Sequence, residues 1–132
     1  MTAEEYFEQG KTLYEEGEYE GAEAAYKKAV ELDERHVEAW VGLASAYWKI
    51  EKYEQAHKAC QETISMDADH AFARYRLGTI HDDLKQYDQA IEAYQTAIQL
   101  DPKSAYSWKG LGNVYREQKQ YGQAIEAFQT AI

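Results

Sequence analysis

Cysteine, proline and glycine are scarce in this chain of 132 residues, which contains one Cys, one Pro and eight Gly. A single cysteine forms no internal disulfide, which favours a reducing compartment. So few Pro and Gly residues argue against a loop-rich or all-β fold. We therefore expect a cytoplasmic protein with few turns.

The sequence also lacks a long apolar run and a leader-like start. No apolar stretch approaches the roughly 20 residues that cross a bilayer, so we expect no membrane insertion. Residues 1–5 have neither the basic nor the apolar region of a signal peptide. Thr2 and Glu5 instead have the spacing of a capping box, which predicts a helix beginning almost at once.

The sequence is also poor in Lys and Arg relative to Asp and Glu. The 14 Lys and Arg residues face 24 Asp and Glu residues, for a net charge of −10. Because neutralising phosphates needs clustered Lys and Arg, we expect no nucleic-acid partner. The imbalance is uneven: residues 1–36 hold 11 acids and 4 bases, whereas residues 105–132 hold 2 acids and 3 bases. The front of the chain is acidic and the back is nearly neutral to basic.

What the chain does have is an internal repeat. Residues 85–98 recur as residues 119–132, an offset of 34, with only two differences. Carried backwards, the offset aligns the whole chain as one domain, 1–132, with four repeats. These are residues 3–36, 37–70, 71–104 and 105–132, the last of them truncated.

Aligned columns of similar residues show what each repeat contains. One column holds Tyr19, Tyr53, Tyr87 and Tyr121, and a column of small residues holds Gly10, Ala44, Gly78 and Gly112. Apolar residues within a repeat follow the i, i+3, i+4, i+7 spacing of a helix. Short polar connectors divide each repeat in two, between the paired helices at Gly17-Glu18, Glu51-Lys52, Lys85-Gln86 and Lys119-Gln120. The pattern predicts about eight helices.

The fourth repeat carries the most specific motif: Trp108, Leu111, Gly112, Tyr115, Tyr121, Ala124, Phe128 and Ala131. This pattern resembles the tetratricopeptide repeat family, and the resemblance covers nearly the whole chain. It implies an all-α solenoid of antiparallel helix pairs stacked into a right-handed superhelix, whose first helices line a concave groove. It further implies a scaffold or adaptor that binds a peptide segment of a partner protein, without catalysis and without a cofactor.

The resemblance places twelve candidate binding residues in the groove. They are Lys11, Tyr14, Ser45, Trp48, Phe72, Tyr75, Arg76, Thr79, Tyr106, Lys109, Asn113 and Arg116. Aromatic residues beside Arg are typical of binding hot spots. We expect Arg76, Lys109 and Arg116 to surround Tyr75 and Tyr106 and to hold an acidic side chain or a C-terminal carboxylate. The alternative is that these aromatics only pad the seam between first helices.

Other functional patterns are weak. Most positions of the family's chaperone carboxylate clamp do not hold the expected Lys or Asn. His57 and Cys60 have the spacing of half a zinc site, but no second pair exists, so we expect no metal. The two Asp residues at 82 and 83 are interpreted as a solvated face.

The last helix lacks the polar capping helix that usually follows such arrays, and we expect Ala124, Ile125, Phe128 and Ile132 to lie uncovered. The chain is then a fragment of a longer protein, or the open end is covered by another copy. The acidic first repeat and basic-leaning last repeat favour head-to-tail contact. A structural module that self-assembles through its C-terminal helix is therefore the alternative function.

Overall fold

The computed structural model describes all of residues 1–132 and contains eight α-helices and no strand, as the all-α prediction requires. The helices are α1 (Ala3–Glu15), α2 (Tyr19–Leu32), α3 (Val37–Lys49), α4 (Tyr53–Met66), α5 (Ala71–Asp83), α6 (Tyr87–Leu100), α7 (Ala105–Glu117) and α8 (Tyr121–Ala131). They form two compact units, Met1–Ala68 with α1–α4 and Asp69–Ile132 with α5–α8. No helix has the length and apolar character needed to span a membrane.

The first helix of each repeat begins at a side-chain cap. The predicted capping box is confirmed: Glu5 N donates to Thr2 Oγ1 at 3.1 Å, and Thr2 N donates to Glu5 Oε1 at 2.9 Å. The hydrogen bonds from Thr2 lower the pKa of the Glu5 carboxyl. Ser104 caps α7, whereas α3 and α5 use the Nδ1 atoms of His36 and His70 as acceptors.

The turn inside each repeat has a left-handed residue at the predicted connector. Gly17 has φ 81°, and Glu51, Lys85 and Lys119 have φ between 60° and 63°. In the first repeat Glu18 N donates to Leu13 O at 2.8 Å, the long hydrogen bond of a Schellman motif, and the other three turns repeat it. Only the first repeat places glycine, the residue that prefers this conformation, at that position.

A tyrosine ring packed between two glycines lies at the centre of the first unit. Tyr26 of α2 is 3% exposed. A Cβ on Gly10 of α1 would come within 2.7 Å of its ring, and one on Gly42 of α3 within 2.5 Å. Burial raises the pKa of the Tyr26 hydroxyl to about 12. Small residues therefore let two first helices close on one aromatic ring.

The second unit repeats this arrangement around Tyr94 of α6, which is 1% exposed. Gly78 of α5 and Gly110 of α7 lie on its ring, and Leu111 and Val114 of α7 complete the buried cluster. The packing aligns α5 beside α7, and this pair of helices carries the candidate site.

Candidate functional site

Three of the predicted groove aromatics meet on α5 and α7. The ring centroids of Tyr75 and Tyr106 are 4.5 Å apart at 64°, an edge-to-face contact. Phe72 lies 5.6 Å from Tyr75 and 5.8 Å from Tyr106. Phe72 and Tyr75 are three residues apart, which places them on one face of α5. We call these three residues the aromatic cluster.

The members of the aromatic cluster differ in exposure. Tyr75 packs inward, with its ring 5.9 Å from that of the buried Tyr94. Tyr106 is 39% exposed. Tyr75 therefore fills the seam between the helices, whereas Tyr106 presents its ring to solvent.

Arg76, predicted to grip a ligand carboxylate, is packed into the protein and only 6% exposed. Its guanidinium carbon lies 5.2 Å from the Phe72 centroid and 5.3 Å from the Tyr75 centroid. Arg76 Nη1 donates to Thr79 Oγ1 at 3.2 Å, and Thr79 Oγ1 donates to the Arg76 carbonyl at 2.7 Å. In this structure Arg76 supports the aromatic cluster from within.

The remaining predicted residues of α7 spread along the helix. Lys109 is exposed and follows Tyr106 by three residues, so both lie on one face. Asn113 is partly buried. Arg116 stands about 15 Å farther along the axis than Tyr106, and its guanidinium carbon lies 5.9 Å from the Phe128 ring of α8. The prediction that Arg116 surrounds Tyr106 is therefore wrong.

Two carboxyl groups meet at the other end of α5 and α7. Burial of Asp82, with the charge of Glu117 and a hydrogen bond between the two side chains, raises the pKa of the Asp82 carboxyl to about 7. The hydrogen bond from Tyr87 to Glu117 raises the pKa of the Tyr87 hydroxyl. Asp82 is partly buried, so its interpretation as part of a solvated face is wrong, whereas Asp83 is exposed. The sequence did not predict the contact between Asp82 and Glu117, because the two residues occupy different columns of the aligned repeats.

In the first unit the predicted groove residues form smaller contacts. Lys11 is exposed and lies 5.5 Å above the Phe7 ring. Tyr14 is partly buried and meets Tyr19 edge to face at 5.1 Å. Ser45 is 6% exposed. Trp48 is partly exposed, and the ammonium of Lys49 lies 5.2 Å from its ring.

Of the four residues predicted to mediate self-association, in and just after α8, only two are exposed. Ile125 is 57% exposed and Ile132 fully so. Phe128 is partly buried, because its ring packs against Gly112. Ala124 is 3% exposed, so the prediction that it lies uncovered is wrong. Ala22 and Ala90, which occupy the same column, are buried as well.

A concavity of about 570 Å³ is lined by α6, α7 and α8 and contains none of the predicted groove residues. Trp108 forms part of its wall, and the indole Nε1 already donates to the Pro102 carbonyl at 3.1 Å. No group of three or more His, Cys, Asp or Glu residues is arranged to hold a metal ion.

Comparison with protein families agrees with the helix pairs described above. Two profiles described as tetratricopeptide repeat match the chain, one at residues 71–104 and 105–132 and the other at residues 13–77. The chain belongs to the tetratricopeptide repeat family. Members of this family are generally protein-interaction modules and not enzymes. No curated protein sequence matches the chain.

Solved structures of similar fold include MamA. One MamA crystal structure is 31% identical, with a TM-score of 0.87 over 98% of this chain and 75% of that one. MamA from Desulfovibrio magneticus is 26% identical, with a TM-score of 0.87 over 98% and 73% of the two chains. The first such domain of Spaghetti, solved with an HSP90 peptide SRMEEVD, is 21% identical, with a TM-score of 0.84 over 89% and 94%. The last likeness concerns the fold alone.

Proposed function

We propose that this protein is a non-enzymatic adaptor that binds a segment of a partner protein on the α5–α7 face of its second unit. The observation that carries the proposal is the aromatic cluster, in which Tyr106 is 39% exposed while its ring contacts Tyr75 and Phe72. A tyrosine held in place by other rings loses little rotamer entropy on binding and offers a large contact area. The fixed ring of Tyr106 anchors the partner segment.

The charges on this face give the segment a polarity. Lys109 lies one helical turn from Tyr106 on α7 and is exposed, so its ammonium can donate to a carboxylate of the ligand. At the opposite end of the face, burial of Asp82, together with the charge of Glu117, raises the pKa of the Asp82 carboxyl, so the site disfavours a further carboxylate. An acidic side chain or C-terminal carboxylate therefore lies at the Tyr106 end and an uncharged or basic residue at the Asp82 end.

Acidic ligands are compatible with the wider fold. The Spaghetti domain was solved with the peptide SRMEEVD, which carries three carboxylate side chains. That domain is too distant to transfer its contacts, and this chain has few of the clamp residues of chaperone-binding members. Recognition here rests on Tyr106 and Lys109 instead, with an apolar or aromatic ligand side chain against the ring.

Affinity capture from a cell lysate with three baits tests this proposal. Tyr106→Ala removes the exposed ring, and Tyr121→Ala removes a tyrosine of α8 that is 57% exposed. Tyr75 and Arg76 are packed, so substituting them mixes folding with binding. We expect a protein that wild type and Tyr121→Ala retain and Tyr106→Ala loses. Retention of the same partners by all three baits argues against the α5–α7 face.

Self-assembly through α8 is the second candidate function. It is favoured by the exposure of Ile125 and Ile132. It predicts a mass in sedimentation that rises with protein concentration, and a monomer when the exposed Ile125 is replaced by Lys. A wild-type protein that stays monomeric over the whole concentration range excludes it.

A further inference from the structure

The concavity between α6, α7 and α8 has a floor and walls of different chemistry. Its apolar and aromatic residues are buried or partly buried and form the floor, which consists of Ile98, Trp108, Leu111, Tyr115 and Ala127. Its polar residues are exposed and form the walls, which consist of Gln95, Gln99, Gln123, Glu126 and Thr130. We call this concavity the glutamine groove. Its volume of about 570 Å³ is that of an ordinary ligand site.

The floor alone indicates no ligand, because the first unit has the same one. Two repeats earlier in the sequence, the residues at the floor positions are Val30, Trp40, Leu43, Tyr47 and Ala59, all of them buried or partly buried. Stacking of helices within a repeat array requires apolar residues at these positions in both units. The floor is therefore explained by the fold.

The walls, in contrast, differ between the two units. The residues at the wall positions of the first unit are Lys27, Glu31, Gln55, Lys58 and Glu62, and all but the glutamine are charged. In the glutamine groove Glu126 alone is charged. Both sets of side chains are exposed, so helix packing does not dictate the difference. A ligand that covers the glutamine groove takes fewer charges out of water, which lowers the desolvation cost of binding.

The indole of Trp108 is held in place at the floor of the groove. Its Nε1 donates to the Pro102 carbonyl at 3.1 Å, so the polar edge of the ring already has its hydrogen bond. Leu111 is 5% exposed and Ala127 is 3% exposed, which makes the floor around the ring closely packed. A fixed ring on an apolar floor provides a contact surface for an apolar side chain of a ligand.

The amides of the walls favour an extended ligand. A glutamine side chain has one acceptor oxygen and two N–H donors, which match the C=O and N–H groups of a peptide backbone. A helix satisfies these groups internally, whereas an extended segment leaves them for a partner. The wall of α8 runs from Gln123 to Thr130, about 10 Å along the helix axis. An extended chain covers this length in about three residues.

The glutamine groove and the aromatic cluster lie on different sides of α7. Trp108 follows Tyr106 by two residues, so the two side chains are about 200° apart around the helix axis. No residue of the aromatic cluster lines the glutamine groove. A ligand on one surface therefore leaves the other accessible.

We propose that the glutamine groove binds an extended, uncharged peptide segment of a partner protein. A central apolar or aromatic side chain of the segment packs on the Trp108 floor, and its backbone forms hydrogen bonds with Gln95, Gln99 and Gln123. The site is separate from the α5–α7 face and differs from it in specificity, because Glu126 disfavours the acidic residues that Lys109 attracts. The protein thus holds two different segments at once.

A phage-displayed library of random heptapeptides, selected on the intact protein, tests this proposal. The deciding variant combines Gln95→Lys, Gln99→Glu, Glu126→Lys and Thr130→Glu, which together reproduce the charged walls of the first unit. All four side chains are exposed, so the fold is kept, as circular dichroism checks. We expect uncharged sequences with an apolar centre that bind wild type at least about tenfold more tightly than this variant in fluorescence anisotropy.

Two control variants locate the bound peptides. Gln129→Lys changes an exposed glutamine of α8 outside the groove, and Tyr106→Ala removes the exposed ring of the α5–α7 face. We expect both to retain the selected peptides, and a failure of the adaptor proposal at Tyr106 leaves this expectation unchanged. The proposal is overturned if no selected peptide distinguishes wild type from the variant with charged walls. It is equally overturned if the peptides that do so carry charged centres, become helical on binding, or are lost with Tyr106→Ala.

Discussion

Gly110 of α7 lies flat against the ring of Tyr94 of α6, where a Cβ on the glycine would stand 2.6 Å from two ring carbons. The ring cannot retreat, because Gly78 presses on it from the other side. Gly110→Ala is therefore expected to lower the free energy of unfolding by about 1–3 kcal/mol, although alanine is the better helix former by about 1 kcal/mol. Urea denaturation, followed by circular dichroism, measures the change.

Gly122 on α8 provides a matched control for this prediction. A Cβ on this glycine would have no neighbouring atom within 4 Å, so the same substitution meets open space. Gly122→Ala is expected to leave the free energy of unfolding unchanged or to raise it by up to about 1 kcal/mol. If Gly110→Ala and Gly122→Ala lose stability equally, close packing on the Tyr94 ring is not the reason for glycine at position 110.

The turn at Lys119 offers a stabilising change. Its φ of 63° is unfavourable for a residue with a side chain, and the equivalent residue of the first repeat is Gly17 at 81°. We expect Lys119→Gly to be neutral or to stabilise by up to about 1 kcal/mol, and Gly17→Ala to destabilise by about 1 kcal/mol. Thermal unfolding of the two variants checks both signs, and a more stable Gly17→Ala protein contradicts the explanation.

Asp82 makes stability depend on pH. Its pKa rises from 3.8 to about 7 on folding, so the folded protein binds the proton more tightly between these values. The free energy of unfolding therefore falls as pH rises from about 4 to about 7. Asp82→Asn removes the charge that faces Glu117, so we expect it to stabilise the protein at pH 8 and to have little effect at pH 4.

The neighbouring Asp83 serves as the control for this pH effect. It is exposed, and Asp83→Asn is expected to change the slope of stability with pH much less than Asp82→Asn does. Melting temperatures of the three proteins across pH 4 to 8 give the comparison. Parallel curves for wild type and Asp82→Asn show that the carboxyl pair carries no such coupling.

The fold was predictable because the same local sequence signals occur four times, at an offset of 34 residues. The capping box at Thr2 and Glu5 and the turns at Gly17 and its equivalents depend on neighbouring residues only, and the structure contains them all. The caps at His36 and His70 were not predicted, because histidine is not among the usual N-cap residues and acts here through Nδ1.

The candidate site was predictable only in part. Column positions correctly bring Phe72, Tyr75 and Tyr106 together, but they do not fix which side chains reach solvent. Arg76 packs against the rings of Phe72 and Tyr75, and Arg116 lies beside the Phe128 ring of α8. Exposure is a property of the packed neighbours, which differ between repeats even where the columns are the same.

Site-specific photocrosslinking tests the central claim most directly. A photoreactive amino acid replaces Tyr106 in one protein and Tyr121 in a second, and both are irradiated in lysate and analysed by mass spectrometry. Binding at the α5–α7 face predicts a crosslinked partner peptide at position 106 that is missing at position 121 and carries an acidic residue next to the linked site. Adducts formed only at position 121, or none at position 106, contradict the claim that this face is the binding surface.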